Sequence, residues 1–208
     1  MPVDLILQYF PDLNTVQIDQ YRRLQQLYSY WNERINLISR KDLDNLYERH
    51  ILHSLAIAKV IRFPGGCSIL DAGTGGGFPG MPLAIMFPDC TFHLVDSTAK
   101  KLTAVKAISD ALGMENISTS QIRLEDHNGK YDFAVGRALA PLKVITGWIM
   151  KNISTPSDRN LKSGLIYLKG GDFDEELKSI QNRYKVYEIR EFFSEEFFLT
   201  KKIVYIFK

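Results

Sequence analysis

The sequence predicts a Rossmann-like α/β fold, a mostly parallel seven-stranded sheet with a late antiparallel strand, carried behind an N-terminal helical cap. Three observations predict it. Helical periodicity dominates up to the breaker Pro64-Gly65-Gly66; short apolar runs then alternate with helices; a glycine loop stands where the first run turns into the first of those helices.

In the cap, residues 1–63, Val16, Ile18, Tyr21, Leu24, Leu27, Tyr28, Trp31, Ile35 and Ile38 recur at three- and four-residue spacing. That spacing puts them on one face of an amphipathic helix from Thr15 to Leu37. A second helical pattern runs from Leu46 through Ile61. In residues 64–208, strands are predicted at Ser68–Ala72, Thr91–Val95, Ile117–Gln121, Tyr131–Gly136 and Leu165–Lys169. Helices are predicted at Pro79–Phe87, Ala99–Leu112, Pro141–Asn152 and Phe173–Arg183. Such alternation implies right-handed crossovers and a parallel sheet covered on both faces. Tyr184–Phe192 and Lys202–Phe207 then suit an antiparallel hairpin at the sheet edge, joined by Phe193–Leu199.

Composition narrows the function. At 208 residues and 45% apolar content the chain can bury its own core. No stretch approaches the roughly 20 apolar residues of a membrane span, and no basic leader precedes an apolar run at the N-terminus, so a soluble, cytoplasmic protein is expected. Cys67 and Cys90 are too few and too isolated for a disulfide framework or a zinc site, so no metal is expected. With no exposed apolar stripe left over, the chain is expected to be a monomer. A net charge of +2 excludes nucleic-acid binding by bulk charge. A local patch remains, because between Tyr21 and Arg62 eight Lys and Arg face four acids. Arg22, Arg23, Arg34, Arg49 and His50 of that cap are candidate phosphate contacts.

The strongest signal is Asp71-Ala72-Gly73-Thr74-Gly75-Gly76-Gly77-Phe78-Pro79-Gly80. Glycines there permit positive φ and close approach to a ligand, and the helix that follows presents free N–H groups. Gly75-x-Gly77-x-x-Gly80 also matches a dinucleotide fingerprint, which is a weak signal on its own. An acid directly before the glycines favours S-adenosylmethionine over NAD: Asp71 can organise the loop and meet an ammonium, whereas it would repel a pyrophosphate. Asp96, ending the second strand, is placed for both ribose hydroxyls. Leu124 and Glu125, after the third strand, are candidates to flank the adenine. Together these point to a class I S-adenosylmethionine-dependent methyltransferase.

At this point the chain resembles the bacterial RsmG (GidB) methyltransferases, which make 7-methylguanosine in 16S ribosomal RNA. The resemblance rests on Trp31-Asn32 with Asn36-Leu37, Arg49-His50-Ile51-Leu52 with Ser54-Leu55, the Asp71–Gly80 loop with Pro82-Leu83, Val95-Asp96-Ser97, Lys100-Lys101, Arg137-Ala138 and Lys169-Gly170. It covers nearly the whole chain. It implies cofactor contacts at Gly73, Phe78, Leu124, Glu125 and Arg137, with Asp96 at the ribose, and 16S rRNA or the small ribosomal subunit as partner. Two positions depart from the family pattern: Ile38 stands where Thr is usual and His53 where Asp is usual, which leaves His53 as a phosphate contact or a helix-surface residue.

Guanine N7 carries an in-plane lone pair, so its methylation needs no general base. The chain has no Asn-Pro-Pro-aromatic motif for exocyclic amines and no Pro-Cys nucleophile for pyrimidine carbon. Arg137, ending the fourth strand, is placed to position the reactants by contact with cofactor, guanine O6 or phosphate. Lys100, Lys101 and Lys169 are further candidate RNA contacts, and Phe78 either stacks on the base or borders the cofactor. Other readings predict different behaviour: a small-molecule or protein methyltransferase would turn over without RNA, a non-catalytic RNA module would bind both partners without transfer, and a reductase would bind nicotinamide.

Overall fold

The computed structural model describes residues 2–155 and 162–208. Two short helical segments open the chain: α1 (Asp4–Tyr9) and the longer α2 (Thr15–Asn32). Asn14 caps α2 by accepting from the Gln17 amide at 3.0 Å while Gln17 Oε1 accepts from the Asn14 amide, a reciprocal capping box. The helix stops at Asn32, earlier than its apolar spacing predicts. The Asn32 carboxamide oxygen accepts from the amides of Leu37 (2.9 Å) and Ile38 (3.1 Å), which turns the chain across the glycine loop.

The second predicted helix is two structures. Leu46–Leu52 is a π-helical segment and His53–Val60 is α3. The wider turn admits one extra residue per cycle, a device concentrated at functional sites. At the junction the His53 amide donates to the Glu48 and His50 carbonyls, and Ser54 Oγ adds a bond to the His50 carbonyl at 2.6 Å.

The sheet contains β1 (Ser68–Ala72), β2 (Thr91–Asp96), β3 (Ile117–Gln121), β4 (Phe133–Arg137), β5 (Gly164–Gly170), β6 (Tyr184–Glu188) and β7 (Lys201–Phe207), in the order β3-β2-β1-β4-β5-β7-β6. All pairs among β1 to β5 are parallel, and β7 runs antiparallel to both β5 and β6. The final pair is the expected antiparallel hairpin at the sheet edge, with β7 beside β5 and β6 outermost. Between the strands stand α4 (Gly80–Met86), α5 (Ala99–Ala111), α6 (Leu142–Ile149) and α7 (Asp174–Lys178). The last is much shorter than the predicted Phe173–Arg183 helix, with Phe173 buried and Leu177 and Ile180 half-buried as its inward-facing apolar residues.

The two faces of the sheet bury unequal cores. On one face the cap, α4 and α5 pack with Ile69, Phe92, Leu94, Phe133 and Val135, so cap and sheet share one continuous hydrophobic cluster. On the other, α6 and α7 cover Leu70, Ala72, Ala134 and Tyr167. Each fully buried Leu, Ile or Phe here contributes roughly 1.5–3 kcal/mol. Side chains alternate along β1 and β4, so Asp71 shares the cap-side face with Phe133 and Val135.

Candidate functional site

The glycine loop is braced at two points by two carboxylates. Asp71 is fully buried, and one of its oxygens, Oδ2, accepts both from Thr74 Oγ1 at 2.5 Å and from the Gly80 amide at 2.9 Å. Its other oxygen has no hydrogen-bond partner among the described residues. Burial pushes the Asp71 carboxyl up to about 7, against its two hydrogen bonds and the pull of Arg137. Asp96, half-exposed at the end of β2, reaches the loop's tip: its Oδ2 accepts from the Gly75 amide at 2.9 Å and its Oδ1 from the Thr98 amide at 2.8 Å. The Thr74 amide donates to the Val95 carbonyl at 2.9 Å, tying the loop to the neighbouring strand.

Glycine is required at the loop's tightest places. Gly73 takes φ +66°, and a Cβ there would lie 2.7 Å from the Leu139 side chain. At Gly80 a Cβ would meet Asp71 Oδ2 at 2.5 Å. A side chain at either position would push apart groups that the loop needs in contact.

Gly73, Asp96, Ser97, Ile122, Leu124, Glu125, Leu139 and Trp148, with Arg123, line a cavity of about 210 Å³ at the carboxyl edge of the sheet. This is where open α/β sheets bind ligands. Its chemistry suits a nucleoside: a carboxylate with spare lone pairs at Asp96, apolar walls from Ile122, Leu124 and Trp148, and an exposed carboxylate at Glu125. The 3-10 turn Leu124–Asp126 is anchored behind by His127, whose Nε2 and the Tyr131 hydroxyl lie 2.9 Å apart, and by Asn152, which donates to the His127 carbonyl at 2.9 Å.

On the cap side, a second group of residues surrounds Phe78, which is only 3% exposed. The Tyr28 ring stacks on it with centroids 5.0 Å apart, the His50 ring lies 5.0 Å away, and the Arg137 guanidinium carbon is 5.2 Å from its centroid. Tyr28 also donates to the Gly76 carbonyl at 2.7 Å, and burial raises its pKa. Arg137 donates from Nη2 to His50 Nδ1 at 2.9 Å and from Nη1 to the Arg49 carbonyl at 3.2 Å. Burial pulls the guanidinium down to about 10, while Asp71 holds it up. Because an arginine has only donors, His50 must accept at Nδ1 and is neutral. Desolvation, aided by Arg137, lowers its pKa to about 3.

The loop after β4 closes the site. Ala138 has φ +49°, and the Tyr167 hydroxyl accepts from the amides of Leu139 (2.6 Å) and Ala140 (3.0 Å), which seats Leu139 against Gly73. Lys169 Nζ lies 2.6 Å from both oxygens of Glu176, whose Oε2 also accepts from the Leu142 amide at the start of α6 at 2.7 Å. Lys169 is thus engaged within the fold.

Of the cap cations, Arg22, Arg23 and Arg34 are exposed, Arg23 donating to the Ala111 carbonyl and Arg34 lying over Tyr30 at 3.7 Å. Arg49 pairs with Asp42 at 2.8 Å. Lys100 is exposed and Lys101 half-exposed at the start of α5, a few residues after Ser97, which lines the cavity. His53 is neither a phosphate contact nor a surface residue: it is 5% exposed, edge-on to Phe197 at 5.5 Å, with its pKa well lowered by burial. Ile38 is buried as well.

Sequence reasoning missed Tyr28, Tyr167, Trp148 and Glu176. Tyr28 was legible only as one apolar position of a helical stripe; its hydroxyl function depends on a loop 48 residues away in sequence.

Residues 17–203 match the GidB family, described as rRNA small subunit methyltransferase G. A ribosomal RNA small subunit methyltransferase G of Christiangramia forsetii is 48% identical over 206 residues, covering 99% of this chain and 97% of that protein. One from Flavobacterium psychrophilum is 49% identical over 201 residues, covering 97% and 96%. Among solved structures, a SAM dependent methyltransferase from Aquifex aeolicus superposes with a TM-score of 0.56 at 16% identity, covering 82% of this chain and 98% of that one, which is a likeness of fold.

Proposed function

The chain belongs to the GidB family of small-subunit rRNA methyltransferases, and from that premise we propose that it transfers a methyl group from S-adenosylmethionine to N7 of a guanine in 16S ribosomal RNA. The observation that carries the reading is the pairing of a nucleoside-sized cavity behind Asp96 with the half-buried Arg137 group on the cap side, joined by one glycine loop whose Gly73 lines the cavity and whose Phe78 lies against Arg137.

In this reading Asp96 accepts from the ribose hydroxyls, and Leu124 and Glu125 flank the adenine. The loop backbone at Gly73, Gly75 and Gly77 follows the amino-acid end, with Asp71 holding the loop's shape. Bound there, the cofactor supplies a methyl activated on a sulfonium. Arg137 adjoins the first loop glycine, because Ala72 and Gly136 are partners in the β1–β4 register. Its remaining donors suit guanine O6, beside the N7 that receives the methyl. No residue need remove a proton, which fits a pocket whose histidine is neutral and engaged. Rate enhancement then comes from alignment and exclusion of water, an effect that reaches roughly 7–11 kcal/mol in favourable systems.

The target guanine is presented in a loop or bulge, since duplex RNA buries N7 in a deep narrow groove. Lys100 and Lys101, beside the cavity, with Arg22, Arg23, Arg34 and Arg49 on the cap, contact phosphates. The protein acts in the cytoplasm as a monomer and without a metal. Among the described residues no helix is long and apolar enough to cross a membrane.

The test is transfer of labelled methyl to assembled small subunits and to naked rRNA, followed by nucleoside analysis. Production of 7-methylguanosine supports the reading. Cofactor binding with no incorporation into either RNA would overturn it in favour of a small-molecule or protein substrate.

A further inference from the structure

We propose that His50 is a positioning residue for Arg137: a neutral imidazole, delivered by the π-helical turn of the cap, whose Nδ1 lone pair fixes the guanidinium beside the transferring methyl. The proposal rests on the reading above in placing Arg137 beside the reacting base. The hydrogen bond itself does not depend on the substrate.

Three observations converge on it. The first is the π-helix, Leu46–Leu52. It interrupts what would otherwise be one α-helix at the residues that meet β4, and it turns both the Arg49 carbonyl and the His50 ring toward Arg137. The second is the pattern of bonds. Two acceptors of different kinds, a carbonyl and an imidazole nitrogen, take the two terminal nitrogens of one guanidinium. A planar fork held at both tips has a fixed orientation, which a single partner would not give. The third is packing: His50 and Arg137 both lie against the Phe78 ring of the glycine loop, so cap, loop and β4 are registered at one point.

The groups facing the imidazole are Arg137 from β4, Arg49 on the same turn, Asp42 from the preceding 3-10 turn and His53 from α3. Burial, then Arg137 and Arg49, disfavour an imidazolium, and Asp42 opposes them. His50 therefore stays an acceptor at neutral pH and is not one of the cationic phosphate contacts of the cap.

Two variants separate this role from simple packing. His50→Phe keeps a ring against Phe78 and removes the acceptor; His50→Asn restores an oxygen near the Nδ1 position. With assembled small subunits as substrate, His50→Phe is expected to lower kcat at least tenfold with S-adenosylhomocysteine affinity within about twofold of the wild type. His50→Asn is expected to recover most of that loss. Equal kcat for His50→Phe and wild type, or equal impairment of both variants, would overturn the proposal. The second measurement needs no turnover: imidazole 15N shifts at pH 7 are expected to show His50 unprotonated at Nδ1 and protonated at Nε2, with that preference relaxing in Arg137→Met. An imidazolium or an Nδ1–H tautomer would overturn the proposal by itself. A wild-type enzyme that bears the expected tautomer yet makes no 7-methylguanosine would overturn the substrate reading instead.

Discussion

Asp71, the penultimate residue of β1, and Asp96, the last of the parallel neighbour β2, both brace the same glycine loop, yet one is sealed and the other open. Asp71 lies under the cap with its carboxyl raised to about 7 by burial and both its hydrogen bonds concentrated on one oxygen. Asp96 divides its bonds between two oxygens at the rim of a cavity and keeps lone pairs for a ligand. The same contrast separates the two regions they belong to. The Asp96 side is a half-open nucleoside cavity with apolar walls. The Asp71 side is a polar nest in which half-buried Arg137 and His50 and buried Tyr28 surround Phe78. On the proposed reading an identical side chain is a scaffold in one place and a ligand group in the other, and the difference follows from burial: Asp71 is fully buried and Asp96 is half-exposed.

The largest expected effect breaks the scaffold. Asp71→Ala leaves Thr74 and the Gly80 amide without their acceptor, and a buried unsatisfied group costs about 1–3 kcal/mol. We expect about 3 kcal/mol lower stability in urea unfolding together with loss of cofactor binding. Asp71→Asn is the sharper variant, since one carboxamide oxygen can accept both bonds. It also tests the pH response. The folded-state pKa of Asp71 lies above its unfolded value near 3.9, so its contribution is fully present below about pH 4 and is lost as pH rises through about 7. Half-buried His50 and buried His53 act oppositely, losing stability as pH falls below about 6.5. The difference between wild type and Asp71→Asn isolates the first effect: the variant should gain relative stability from pH 4 to pH 7, and a flat difference would contradict the burial argument.

Arg137→Met comes next. Removing a fixed cationic fork beside the reacting base is expected to lower kcat about a hundredfold, comparable to deleting one preorganised donor elsewhere, while single-turnover assays show cofactor affinity little changed. Asp96→Ala should have the complementary profile. Loss of charged hydrogen bonds worth roughly 1.5–3 kcal/mol weakens cofactor binding about ten- to a hundredfold, with melting shifted by only a few degrees. Smallest is the double change Lys100→Ala with Lys101→Ala. It is expected to raise the KM for small subunits a few-fold and to reduce the salt dependence of RNA binding by about one to two phosphate contacts.

Much of the sheet was legible because short strand-like runs alternate with helical patterns: the apolar Ser68–Ala72 and the Ser/Thr-rich Ile117–Gln121 match to the residue. The glycine loop and its two acids were legible for a similar reason, since loop and acids lie at strand ends in local sequence. What was not legible depends on tertiary placement. Periodicity cannot distinguish a π turn from an α turn within Leu46–Ile61, and a helix stripe does not show that the Tyr28 hydroxyl reaches Gly76. His53 reads as polar because of its ring nitrogens, but the C-terminal Phe197 and Phe198 fold over it. Lys169 reads as a free cation at a strand end, and only the return of α7 brings Glu176 to it.

The central claim is that cofactor and base are held by different sides of the glycine loop, and calorimetric binding of S-adenosylhomocysteine to wild type, Asp96→Ala and Arg137→Met tests it most directly. The account predicts that Asp96→Ala loses at least tenfold in affinity while Arg137→Met stays within about threefold. The reverse order would contradict it, by placing the cofactor in the nest beneath the cap.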